Sequence, residues 1–196
     1  KSMKLICKGK FDGNPESLPH GEHRPGAVIF KEPETPKRLS VIANVIALAL
    51  TVIFVVLLFL RGGIRAYRFI GLILALLSML PHELLHAICF KNEVYLYTNL
   101  KQGMLFIIGL EDMSKASFVF MALLPNIVFG FLPFILFLIF PQLGILGTLG
   151  AFAIGMGAGD YINVYNALTQ MPKGARTYMY QFNSYWYMPE PSGLQD

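Results

Sequence analysis

The residues best suited to chemistry in this chain form one short stretch, His82-Glu83-Leu84-Leu85-His86. Two histidines four positions apart lie on one face of a helix, a turn from each other, where both imidazoles can bind one zinc ion. The glutamate between them is placed to act as a general base on water at that ion. The stretch therefore predicts a zinc site with His82 and His86 as ligands and Glu83 as the base. The alternative is a chance match, in which the histidines are ordinary core residues.

This stretch lies within an apolar run that begins at Phe69 and ends at Phe90. Ionisable groups inside a membrane-length helix are costly unless they are paired or bind a metal, so their presence requires a functional explanation. The composition, with 55% hydrophobic and 14% charged residues, is typical of a membrane protein. The net charge of +4 does not indicate nucleic-acid binding, because the basic residues are spread over the flanks of the apolar runs.

Four apolar segments are long enough to cross a bilayer as helices. They cover residues 40–60, 69–90, 118–140 and 143 to about 170. The sequence therefore predicts an all-α integral membrane protein with about four transmembrane helices. Between the second and third helices, β-prone runs at 94–97 and 104–108 flank turn-forming residues at 98–103, which predicts a membrane-associated β-hairpin. An ordinary surface loop is the alternative for this region.

The distribution of polar residues divides the chain into three parts. We expect a polar N-terminal segment at 1–39, a four-helix transmembrane core at 40–171 and a cytoplasmic tail at 172–196. Four spans place the N-terminal segment, the 91–115 loop and the tail on one side, and these regions contain many of the lysines and arginines. Because basic residues are retained on the cytoplasmic side, we expect a multi-pass protein of the cell membrane with both termini in the cytoplasm.

A catalytic zinc ion requires a third protein ligand, because such sites use three protein ligands and keep one position for water. Only Glu83 and Asp160 are acidic within the four apolar segments. The second and fourth predicted helices should run in the same direction through the membrane. Counted from the start of each helix, the histidines and Asp160 lie at depths that differ by at most about two helical turns. Gly155 and Gly159 form a small-x-x-x-small pair that favours close helix approach. Asp160 is the predicted third ligand; the alternative is a helix cap or ion pair near the membrane interface.

Two asparagines in the apolar segments are candidates for supporting roles. Asn163, one turn beyond Asp160, could hydrogen-bond a metal ligand. Asn126, which follows Pro125 in the third helix, could orient a substrate or interrupt the helix locally. The alternative for both residues is an ordinary hydrogen bond between helices.

The combination of His82-Glu83-Leu84-Leu85-His86 at the end of one span with Gly159-Asp160 in a later span resembles the site-2 type intramembrane zinc metalloproteases. The resemblance covers about residues 40–185 and is to the small bacterial branch of membrane zincin peptidases in particular. In that class two motif histidines and a distant aspartate bind zinc, and the motif glutamate is the base. The resemblance implies these roles for His82, His86, Asp160 and Glu83. The run 122–126, which ends in Asn126, is loosely similar to a Pro-x-x-Asn element of larger members.

The sequence and the resemblance together predict a zinc-dependent intramembrane endopeptidase with Zn²⁺ as its cofactor. Its expected partners are the lipid bilayer and a membrane-embedded or membrane-proximal peptide substrate, and no nucleic acid. An extended substrate could pair with the hairpin at 94–108 as an added strand. The competing hypothesis is a non-catalytic zinc-binding membrane protein, such as a sensor or an immunity-type partner. A small metal transporter is disfavoured, because the other spans lack further ionisable residues.

Overall fold

A computed structural model describes residues 3–33, 36–62, 68–99, 104–181 and 183–190 of the chain. Within these ranges the chain forms helices and seven β-strands, and the strands are arranged in two sheets. The prediction of an all-α membrane protein is therefore wrong, because the protein has a mixed α/β fold.

The helices and strands follow one another in a mixed order along the chain. The helices are α1 (Pro36–Gly62), α2 (Phe69–Leu77), α3 (Met79–Ala87), α4 (Lys115–Pro125), α5 (Leu132–Ile139), α6 (Gly144–Met156) and α7 (Ala158–Gln170). A short 3-10 helix covers Pro15–Ser17, and a π-helical segment, Asn126–Phe131, joins α4 to α5. The strands are β1 (Lys4–Lys10), β2 (Val28–Ile29), β3 (Glu93–Asn99), β4 (Met104–Gly109), β5 (Met113–Ser114), β6 (Arg176–Tyr180) and β7 (Asn183–Tyr187).

One of two compact units of the chain comprises residues 32–86 and 121–164, and its described elements are helical. Helix α6 is its centre and packs against α1, α2 and α5. Glycines allow the helices to come close together: a Cβ at Gly150 would lie 2.7 Å from the carbonyl oxygen of Gly130. The buried core consists of Leu58, Phe134, Phe137, Ala151 and Ile154. Small residues on α6 therefore bring large apolar side chains of its neighbours into contact.

Three helical stretches, 37–62, 69–87 and 115–139, are long and apolar enough to cross a membrane. The pair α6 and α7, bent by 54°, provides a fourth if the two helices count as one span. Large apolar side chains are exposed along these stretches, with Leu60 80% and Leu77 67% accessible. Exposed apolar surface of this extent is unfavourable in water and favourable in lipid, which weakly supports an association with a membrane.

The other compact unit comprises residues 1–31, 87–120 and 165–196, and it contains both sheets. One sheet has the strand order β1-β3-β4, with β1 parallel and β4 antiparallel to the central β3. The second sheet has the order β2-β7-β6-β5, and the described pairings in it are antiparallel. Leu18, Tyr97 and Ile108 are buried together with the first sheet, and Phe30, Ala167, Met171 and Ala175 form a further buried cluster.

Long-range strand pairing explains why the all-α prediction failed. Lys4 of β1 lies opposite Glu93 of β3, 89 positions away, and parallel strands have no hairpin turn that would mark such a pairing in the sequence. The predicted hairpin is present as the antiparallel pair of β3 and β4, but it belongs to this larger sheet. Positions 100–103 of its predicted turn lie outside the described residues. The aromatic segment expected to be a tail forms β6 and β7.

Candidate metal centre

The residues His82, Glu83 and His86 lie in α3, which begins after a break in the preceding helix. Helix α2 ends at Leu77, the residue whose carbonyl would accept a bond from the N–H of position 81. Pro81 has no N–H, and its ring clashes with that carbonyl, so the helix is interrupted there. The amide of His82 donates to the carbonyl of Ser78 at 2.8 Å and continues the helical pattern. The proline therefore accounts for the break at Ser78, which separates α2 from the helix that contains the motif.

The side chains of the motif converge on one point of the helical unit. One ligand atom each from His82, Glu83 and His86 lies within 4.8 Å of the others. The two imidazole rings have centroids 4.9 Å apart. His86 is buried, whereas His82 and Glu83 are half-buried, so the group is partly accessible. The helical spacing of the two histidines thus produces the convergence that the sequence predicts.

Asp160 lies in the first turn of α7, and its carboxylate contacts both histidines. Its Oδ2 is 3.1 Å from Nε2 of His82, and its Oδ1 is 3.3 Å from Nε2 of His86. Zinc bonds of about 2.0–2.1 Å in a tetrahedron separate two ligand atoms by about 3.3 Å. The distances from the carboxylate to the two imidazoles are close to this separation, and they also fit a hydrogen bond or an ion pair with each imidazole. The structure therefore places Asp160 within reach of both histidines.

The orientation of His86 is set by the main chain of α4. Its Nδ1 lies 2.8 Å from the carbonyl oxygen of Met121. Because a carbonyl can only accept, Nδ1 carries the proton and donates this bond. In a neutral ring the lone pair is then on Nε2, the nitrogen that faces Asp160. Metal-binding histidines commonly donate their second ring nitrogen in this way, which directs the lone pair of the other nitrogen at the metal.

The two predicted supporting asparagines have different surroundings. Asn126 is buried, and its Nδ2 donates to Oδ2 of Asp160 at 2.7 Å and to the carbonyl of Ala122 at 3.0 Å. Asn163 is half-buried in α7, and among the described contacts it makes no hydrogen bond to the histidines or to Asp160. The structure therefore brings Asn126, and not Asn163, to the carboxylate.

Two further features of the centre are absent from the sequence prediction. The Met121 carbonyl is a backbone group, so no residue type could indicate its role. The glycine that matters beside Asp160 is Gly157, where a Cβ would overlap Oδ1 of Asn126. Of the predicted small-residue pair, Gly155 packs against Thr51 of α1, whereas a Cβ at Gly159 would meet nothing within 4 Å. The close approach therefore involves Gly155 and Gly157, and Gly159 has no part in it.

The donor set has the chemistry of a hydrolytic zinc site. Two neutral imidazoles and one carboxylate are ligands that zinc accepts while one position stays open for water. A carboxylate oxygen of Glu83 lies within 4.8 Å of a ring nitrogen of each histidine, so Glu83 is close enough to act on a group held there. A site of this kind can polarise a carbonyl group and activate water for attack on it.

One of three comparisons with known proteins finds a match, and it covers the part of the chain that contains the motif. A family model described as "Putative zincin peptidase" matches residues 75–176. This range contains His82, Glu83, His86, Asn126 and Asp160. Searches of curated proteins and of solved structures find no match to the chain.

Proposed function

The chain belongs to the family described as "Putative zincin peptidase", and on this basis we propose that it is a zinc-dependent intramembrane endopeptidase. It hydrolyses a peptide bond in or near a transmembrane segment of its substrate. The proposed ligands are His82, His86 and Asp160, and Glu83 is the proposed general base.

The observation that carries the zinc assignment is the pair formed by His86 and Asp160. The ring nitrogen Nδ1 of His86 donates to a backbone carbonyl, so Nε2 of a neutral ring presents a lone pair to Oδ1 of Asp160 at 3.3 Å. Two acceptors that face each other repel, whereas a cation between them is attracted to both. A second proton on His86 would satisfy this contact alone, whereas a zinc ion would satisfy it and also use the nearby His82 as a third ligand, which is why we propose zinc.

Each residue of the centre has a separate task in the proposed hydrolysis. Zinc held by His82, His86 and Asp160 would supply Lewis-acid chemistry, which would polarise the scissile carbonyl and make a nearby water more acidic. Glu83 takes the proton of the attacking water and later passes it to the leaving amine. The bond of His86 to the Met121 carbonyl keeps the imidazole in one tautomer during this cycle.

A membrane-embedded substrate is supported by the apolar surface of the helices. Leu48 and Leu60 are among many large side chains of α1 that are exposed, which favours contact with the lipid bilayer. Peptide bonds in a substrate helix are protected by hydrogen bonds, so the substrate must become extended before cleavage. Strand β4 pairs with β3 along one edge, and no described strand pairs with its other edge. We propose that this edge can accept an extended peptide as an additional strand.

The proposal is tested with Glu83→Gln, which retains the size of the side chain but cannot act as a base. The wild type and the variant are purified in detergent, their zinc content is measured, and cleavage of a quenched-fluorescence transmembrane peptide is followed in proteoliposomes. We expect an unchanged zinc content and a value of kcat/KM lower by about 10²–10⁴-fold, the usual contribution of a general base. A zinc chelator should abolish wild-type cleavage, and added zinc should restore it.

Glu22→Gln is the matched control, because Glu22 is exposed and lies far from α3 in the sequence. It should cleave the peptide like the wild type. If the wild type and Glu83→Gln both contain zinc and neither cleaves the peptide, the result would favour the competing hypothesis of a non-catalytic zinc-binding membrane protein. Cleavage by Glu83→Gln at the wild-type rate would exclude Glu83 as the base.

A further inference from the structure

A π-helical segment lies next to the candidate metal centre and begins at Asn126. The N–H of Leu132 donates to the carbonyl of Ile127, five residues back, instead of four. Pro133, near the start of α5, has no N–H for the regular pattern, so the wider turn is accommodated before it. Short π-helical turns occur frequently at functional sites. Here the turn starts at the residue whose side chain contacts Asp160.

The amide of Asn126 is held in one orientation. Both groups near Nδ2, the Ala122 carbonyl and the Asp160 carboxylate, are acceptors, so the amide nitrogen must face them. The other end, Oδ1, is buried and has no hydrogen-bond partner among the described residues. It lies against Gly157, at the bend between α6 and α7. Asn126 therefore donates a hydrogen bond to the Asp160 carboxylate, while its own Oδ1 accepts none from the described residues.

This arrangement differs from the ordinary use of a buried polar side chain in the same unit. Thr148 is also buried, and its hydroxyl donates to the Gly144 carbonyl of its own helix, which leaves no function beyond local packing. Asn126 makes the corresponding bond to Ala122, four residues back, and adds a bond across to α7. An unpaired buried oxygen is unfavourable, so an apolar residue would suit packing alone better at position 126.

We propose that Asn126 is a positioning residue that holds the Asp160 carboxylate in the orientation in which it binds zinc. The proposal rests on the proposed function, because it assigns zinc to the centre. Gly157 is the second part of this arrangement, since a side chain at 157 would displace the Asn126 amide. Asn126 contacts the carboxylate directly, and Gly157 acts through Asn126, so neither residue is proposed as a metal ligand. Loss of such support for a metal ligand typically weakens metal binding by about 10–100-fold.

The test measures metal binding directly, without relying on cleavage. Asn126→Leu has a similar volume and no donor, Asn126→Ala removes the side chain, and Gly157→Ala displaces the amide. Thr148→Val is the control, because it also removes a buried polar group of this unit. For each protein, the zinc dissociation constant is obtained by chelator competition, and the visible spectrum of the cobalt(II)-substituted form is recorded. The unfolding temperature of the metal-free form reports whether the fold is retained.

We expect all three variants at 126 and 157 to bind zinc about 10–100-fold more weakly than the wild type and to show an altered cobalt spectrum. Thr148→Val should leave both properties unchanged. If Asn126→Leu and Asn126→Ala bind zinc like the wild type and have its cobalt spectrum, the inference is overturned. If Thr148→Val weakens zinc binding equally, the effect is general packing, and the inference is again overturned.

The two proposals fail in distinguishable ways. Wild-type protein that binds zinc but cleaves no peptide would contradict the peptidase function. The zinc affinities of the Asn126 variants relative to the wild type would still decide the role of Asn126. Wild-type protein that binds no zinc would overturn both proposals. If the wild type cleaves the peptide, and Asn126→Leu and Asn126→Ala bind zinc as tightly as the wild type, only the role of Asn126 is contradicted.

Discussion

Replacement of Asp160 by asparagine is the most direct perturbation of the candidate metal centre. The carboxylate places one oxygen 3.1 Å from Nε2 of His82 and the other 3.3 Å from Nε2 of His86. Asparagine has nearly the same shape, but it offers one neutral oxygen and an amide group that cannot bind a cation. The substitution therefore removes a ligand and its negative charge with little change in volume.

The expected loss of zinc affinity follows from the number of ligands. Structural zinc sites with four protein ligands have apparent binding free energies of about 10–16 kcal/mol, which corresponds to about 2.5–4 kcal/mol per ligand. Since about 1.4 kcal/mol equals a tenfold change in an equilibrium constant, Asp160→Asn should raise the zinc dissociation constant about 10²–10³-fold. The effect should exceed that of any change at Asn126, because Asn126 acts through Asp160.

The assay is competition with a chromophoric zinc chelator, supported by elemental analysis of the purified protein. The control is Asp12→Asn. Oδ1 of Asp12 accepts hydrogen bonds from the backbone N–H of Asn14 at 2.8 Å and from Oγ of Ser17 at 2.9 Å. An asparagine oxygen can accept both bonds, so the control should bind zinc like the wild type. A dissociation constant for Asp160→Asn within about fivefold of the wild type would refute the assignment of Asp160 as a ligand.

Two further predictions concern the fold around the centre and the unit that contains the sheets. Gly71→Ala should lower the unfolding temperature of the helical unit, because the new Cβ would lie 2.7 Å from Cβ of Thr148 and against a backbone carbonyl of α6. Thermal unfolding measures this effect, and a wild-type unfolding temperature would contradict the packing. Burial raises the pKa of Asp112, but hydrogen bonds from Tyr187 and Arg176 outweigh it and hold the pKa below its ordinary value. Because the folded-state pKa is lowered, the stabilisation is present above about pH 4 and is lost as the pH falls through the folded-state pKa. The unfolding temperature can be followed by the fluorescence of the single tryptophan, which lies in β7. On acidification it should fall further for the wild type than for Asp112→Asn. Equal falls in the two proteins would contradict the prediction.

Local spacing was sufficient to predict the motif and its convergence. His82 and His86 are four residues apart, and any α-helix places such residues one turn from each other on the same face. Asp160 could be identified for a different reason, since the apolar segments contain only one other acidic residue. The positions of the apolar helices could also be predicted from the sequence, because a continuous apolar run of membrane length has few alternatives to a helix.

Of the strand pairs, the sequence predicted only the hairpin of β3 and β4; the other pairs either join distant segments or lie where the sequence shows no strand pattern. Tyr178 and Tyr185 lie opposite each other in a hairpin at the end of the chain, but the sequence there reads as a polar and aromatic tail. Strand β1 is mostly exposed, so it lacks the alternation that marks a strand with one buried face. Its partner β3 follows α3 in sequence, and only the folded chain brings the two together.

The sequence by itself determined which residue types stand at the centre, because helical periodicity and the scarcity of acidic residues in apolar segments are local properties of the chain. The tertiary structure alone decided how these residues are held. The Met121 carbonyl that orients His86 is a backbone group, and the fit of Asn126 against Gly157 depends on a helix bend and a π-helical turn in separate segments. Such contacts join atoms whose residue types and spacing give no signal, so only the packed helices could identify them.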